Sequence, residues 1–111
     1  MYEIRAKARE LSSLIVNSKE YRNYTECHEE IKKDEFLMVR INGLRKRRFA
    51  IQYNDNSNKK QQMDELFNEF RDVYENEKAM RFLEAEMAFC RLVQKINRVV
   101  LSDLEMNLDF L

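Results

Sequence analysis

Few side chains in this sequence are of the kinds that perform chemistry, and their spacing is poor for it. His28 is the only histidine and directly follows Cys27. Neighbouring positions on a helix point about 100° apart and do not face each other. A cysteine–histidine nucleophilic pair is therefore badly built here, and a solvated or packed histidine is the plainer assignment. The single glycine, Gly43, excludes a glycine-rich phosphate loop, a Walker pattern or a nucleophile elbow. One histidine cannot supply the two Glu-x-x-His units of a di-iron bundle. Cys27 and Cys90 are too few for a disulfide framework or a four-ligand zinc site. No catalytic, cofactor-binding or metal-binding residue is assigned.

Charge offers more. Arg40, Arg45, Lys46, Arg47 and Arg48 place five bases and no acid between residues 40 and 48. Such a run can hold a partner, or neutralise phosphates and bind nucleic acid, with Phe49, Ile51 and Tyr53 following for stacking. Residues 64–77 carry six acids against Arg71 alone. If the two stretches pack antiparallel, the bases are spent on internal or intersubunit complementation. Nucleic-acid binding by 40–48 is the alternative to a protein-interaction role. Glu86 is a second marker. It falls in register with Phe82, Phe89, Val93 and Ile96 on an apolar stripe. A carboxylate there calls for an arginine across a helix–helix or subunit contact, since an unpaired buried charge costs several kcal/mol, on the order of 3–5. Exposure at the stripe's edge and a functional acid are the other readings. The stripe Phe82, Glu86, Phe89, Val93 and Ile96 is the candidate core or oligomer interface.

The elements that must position these residues are helices. The chain has 111 residues, one Gly and no Pro, where average usage predicts roughly 8 and roughly 5. Folds with many turns are excluded. Ile4, Ala8, Leu11 and Ile15 predict a first helix over about 2–16. Asn17-Ser18 interrupts it, and Ser18 caps a second helix beginning at Lys19 with Glu20 in its first turn. Tyr21, Tyr24, Cys27 (or His28) and Ile31, then Leu37, Met38, Ile41 and Leu44, are read as one 3–4 pattern that extends this helix towards Tyr53, with Gly43 as its weak point. Residues 54–60 contain no apolar side chain and form the linker. A third helix from near Gln61 carries Met63, Leu66, Phe67, Phe70, Val73 and Tyr74. Asn76 caps the last and most apolar helix, Glu77 to about Leu104. Ser102 and Glu105 stand at capping-box spacing for one further turn.

This predicts a single all-α domain spanning 1–111: an antiparallel bundle of three to four long helices that forms oligomers. Twenty bases balance twenty acids, which excludes a globally basic nucleic-acid binder or a polyanionic tail. Hydrophobic residues at 44% exceed what a disordered chain carries. No run reaches the roughly 18 apolar residues of a membrane span, and the charged N-terminus lacks a signal core. Reduced thiols and a cytoplasmic location are expected.

The order of these segments resembles the YlbF/YmcA family of small bacterial regulators over nearly the whole chain. The residues that carry the likeness are Ser18-Lys19-Glu20-Tyr21 and Leu83-Glu84-Ala85-Glu86, with the Leu/Val/Ile run that follows to Leu104. Asn76-Glu77, where the family often has Asn-Pro, and the basic run at 45–48 depart from it. The resemblance implies an all-helical, self-associating, non-enzymatic protein that works beside related small regulators. It implies action through an endoribonuclease that matures messenger RNA, with effects on competence, sporulation and biofilm formation. Some complexes of this family carry iron–sulfur clusters on cysteines. This chain has no cysteine in its tail, and Cys27 and Cys90 lie within helices, so a cluster is expected only inside a multi-protein complex.

Overall fold

A computed structural model describes residues 1–53 and 58–104. Six helices follow one another: α1 (Tyr2–Val16), α2 (Lys19–Ile31), α3 (Glu35–Gln52), α4 (Lys59–Glu69), α5 (Arg71–Tyr74) and α6 (Glu77–Leu101). Three boundaries are set by side-chain caps. The Ser18 hydroxyl accepts from the Tyr21 amide, the Asp34 carboxylate from the Leu37 amide, and the Asn76 side chain from the Ala79 amide. Each satisfies an amide that has no carbonyl partner in the first helical turn.

Two expected long helices are divided. The helix read from Ser18 towards Tyr53 stops at Ile31 and restarts at Glu35, because Asp34 takes the N-cap role within an otherwise helical pattern. Gly43 does not interrupt α3, and its φ is not positive. The helix read from Gln61 through Tyr74 breaks at Phe70, whose φ/ψ of −107°/28° leaves the α region. The Val73 amide bonds the Phe70 carbonyl, a tightened i→i+3 turn that sends both side chains into the core. Residues 54–57 of the expected linker, and Glu105 of the turn expected from Ser102, lie outside the described residues, and α6 ends at Leu101 rather than near Leu104.

The core is built by α2 to α6. Ile31, Leu37, Ile41, Leu44, Ile51, Leu66, Phe70, Val73, Ala79, Phe82 and Leu83 form one buried cluster. α2 lies along α6. Tyr21 meets Phe89, His28 meets Phe82 and Glu30 meets Lys78, so the two helices run antiparallel. α3 packs on α4 and α5. α1 buries no residue and joins the cluster nowhere. The molecule measures 49 × 37 × 17 Å, with a radius of gyration of 17.5 Å where a compact chain of this length has about 13 Å. The flat, extended shape comes from an arm formed by α1 and the end of α6.

Candidate interaction surface

The basic run is turned inward for the most part. The Arg40 guanidinium donates to both Asp72 carboxylate oxygens at 3.0 and 2.8 Å and to the Glu69 carbonyl at 2.8 Å, and it lies over the Phe70 ring. The Arg40 hydrogen bond, followed by its charge, holds the Asp72 carboxyl below the usual carboxylate range, and Arg40 is raised in turn. Arg45 pairs with Glu86, donates to the Asn42 side chain at 3.0 Å and stacks its guanidinium over Phe82. Arg47 pairs with Glu69. Arg48 donates to the Tyr74 hydroxyl at 2.9 Å. Lys46 is exposed and, among the described residues, forms no ion pair. Four of the five bases therefore fasten α3 to α4, α5 and α6. The internal complementation read from the acid-rich stretch is the observed arrangement, and it leaves Lys46 alone for phosphate.

The α6 stripe divides along its length. Phe82 is fully buried, with Tyr24, His28 and the Arg45 guanidinium around it. Glu86 is half-buried and finds its arginine on α3. Phe89 sits against Tyr21 and Tyr24. The chain's own helices thus fill the first half of the stripe. Val93 and Ile96 are only half-buried and lead into the arm.

The arm is the surface that the stripe alone did not reveal. α6 has 25 residues and α2 has 13. At 1.5 Å per residue, α6 overhangs its main partner by roughly 18 Å. α1 lies beside that overhang, and Ile4, Ala8, Leu11 and Val100 line an open apolar groove between them. In this groove Ile4 is 68% exposed and Val100 57%, and Leu14 elsewhere on α1 is exposed too. Scattered single exposures are ordinary, but a contiguous apolar group on one arm marks an interaction site. The overhang could not be read from the sequence, because the segment expected to cover α6 ran on towards Tyr53 and only the structure ends α2 at Ile31.

Among the described residues no group of three or more His, Cys, Asp or Glu is placed to hold a metal. Cys27 is half-buried within α2, its thiol on the Asn23 side chain, and Cys90 is exposed on α6. These cysteines do not form a ligand set within one chain, so the donors do not fit an intrachain iron–sulfur cluster. No helix among the described residues is long and apolar enough to cross a membrane.

The family profile described as "Control of competence regulator ComK, YlbF/YmcA" matches residues 4–105. The chain belongs to the YlbF/YmcA family. Among curated proteins there is no significant match. A solved structure of Bacillus subtilis RicA, in complex with RicF, is similar at a TM-score of 0.60 over 89% of this chain and 90% of that chain, with 14% identity. At that identity the likeness concerns the helical fold, which the YlbF-type chain shares despite its unusual basic run. The match to the family spans both the core and the arm, so the α1–α6 overhang lies within the YlbF-type unit.

Proposed function

We propose that this chain is a non-catalytic regulatory adaptor, acting by protein–protein contact in a complex that modulates an endoribonuclease and the processing of messenger RNA. The observation that carries the reading is the arm, whose open apolar groove along Ile4, Ala8, Leu11 and Val100 the chain leaves uncovered while four of the five bases at 40–48 pair within the chain. A two-helix arm cannot cover both of its apolar faces, and a second helical pair laid against it completes a four-helix bundle. A second copy or a related small regulator supplies that pair. Family membership supports the regulatory role, with competence, sporulation and biofilm formation as its outputs. RicA, a solved relative in fold, was captured in complex with another protein.

The test is twofold. Leu14→Asp with Val100→Asp places two carboxylates on the arm without touching the core. Light scattering on the pure protein is expected to give a multimer for the natural chain and a monomer for the variant. In native cells, the same variant is expected to lose co-purification of related small regulators and a ribonuclease, and to alter transcript ends as deletion does. Unchanged mass and unchanged transcript ends in the variant would overturn the proposal.

A further inference from the structure

A second surface lies on the side of α6 turned away from the arm's apolar stripe. Arg91, Lys95 and Arg98 follow one another at spacings of four and three residues, so they share one face over about 10.5 Å. All three are exposed, and among the described residues none has a hydrogen-bond or ion-pair partner. This is the reverse of the 40–48 run, whose bases are mostly paired. No acid falls between Glu86 and Asp103 on the helix. Beside the ridge stand Ala88, Leu92 and Val99, on either side of Lys95 along the helix, with Ala88 and Val99 exposed and Leu92 half-buried.

We propose that this face docks an amphipathic helix of a partner protein, its aliphatic side chains in the Ala88–Leu92–Val99 seam and its carboxylates on Arg91, Lys95 and Arg98. Charge complementarity sets the partner's chemistry. A helix with Asp or Glu at i, i+4 and i+7 beside an aliphatic stripe meets the ridge and the seam together. The corresponding arm of a second copy does not fit, because α1 and residues 87–104 carry Arg5, Lys7, Arg9, Arg91, Lys95 and Arg98 against Glu3, Glu10 and Asp103. Nucleic acid fits less well, because no aromatic ring stands on this face to stack a base and the flank is aliphatic. The inference rests on the adaptor reading for the chain's role, but not on the arm's groove at Val100, from which the Arg91–Lys95–Arg98 ridge points away on the helix. Pairing through the arm leaves the ridge open, so one molecule can hold a helical regulator on one side and an acidic segment on the other.

The test uses the full chain and a synthetic helical peptide with Glu at i, i+4 and i+7 along a leucine stripe, followed by fluorescence anisotropy. A peptide with Gln for Glu and a single-stranded RNA of mixed sequence serve as comparisons. The acidic peptide is expected to bind. Its affinity should fall about tenfold or more between 0.05 and 0.5 M salt. It should fall as far in Arg91→Glu/Lys95→Glu/Arg98→Glu, and Val99→Asn, which leaves the charge unchanged, should weaken it through the apolar seam alone. The triple variant should keep the helical content and the multimer mass of the natural chain, which separates failure here from failure of the arm. Absence of binding, equal binding of the Gln peptide, or preference for RNA would each overturn the proposal.

Discussion

At the scale of residues, the informative pair is Arg45 with Glu86. Each is about one-third exposed or less, and the pair crosses from α3 to α6 over the Phe82 ring. Removing one partner leaves the other half-buried and unmatched, so Arg45→Ala and Glu86→Ala are each expected to destabilise by about 1–3 kcal/mol. A double-mutant cycle in urea should return a coupling of about 1 kcal/mol, and additive single effects would contradict it. Arg40 and Asp72 make a prediction about pH. The Asp72 carboxyl is lowered in the fold, first by the Arg40 hydrogen bond and then by its charge. Its contribution is therefore present above the unfolded-state value near ~3.9 and is lost as pH falls through the lowered folded value. Urea midpoints for the natural chain and Asp72→Asn should differ by a constant amount above about pH 4 and converge only as the pH falls further, through the lowered folded value. Glu86 was legible in the sequence because a carboxylate on an apolar stripe demands an explanation. Which base answers it was not legible, since five candidates between 40 and 48 differ only in where the folded α3 points them.

At the scale of elements, Gly43 has the clearest consequence. It sits inside α3 with helical backbone, and an added Cβ would stand 3.4 and 3.5 Å from two Phe70 ring carbons, an ordinary contact. Gly43→Ala is expected to stabilise by about 0.5–1 kcal/mol, some 2–6 °C in melting temperature. Gly43→Val pushes methyl groups into the same ring and is expected to destabilise. The cap at Asn76 gives the converse test: Asn76→Ala should cost about 1 kcal/mol in a thermal melt. Ser18 and Asn76 were readable as caps because each stands where apolar periodicity lapses. Asp34 was missed although Ile31 and Leu37 stand six residues apart, because Leu37, Ile41 and Leu44 resume the 3–4 spacing directly beyond the break. Phe70 escaped for a related reason. It is apolar and correctly spaced, and only packing on Gly43 and the tightened turn to Val73 show that the helix has ended.

At the scale of the whole molecule, the sequence announced helices and an apolar last segment, and the family match places that pattern over 4–105. Periodicity alone assigned Phe82 and Phe89 equally to a core or to an interface. The distinction depends on which length of α6 is covered by α2, a tertiary fact. Exposed apolar surface on the overhang predicts concentration-dependent behaviour: the sedimentation mass of the natural chain should rise with concentration, and Val100→Asp should flatten that dependence.

α1 buries nothing in the isolated chain, which carries a further meaning for its life in the cell. A helix of 15 residues with little tertiary support, here only half-buried Leu11 and Ile15, is marginal in water. In the unassembled chain its amides should exchange with solvent nearly as fast as those of a frayed peptide, while those of α6 near Phe82 stay protected. Docking should bring α1 to the slow class. Proteases act on transiently opened backbone. Limited proteolysis is therefore expected to cut unassembled copies first within α1, and to spare that helix once a partner is docked on the arm.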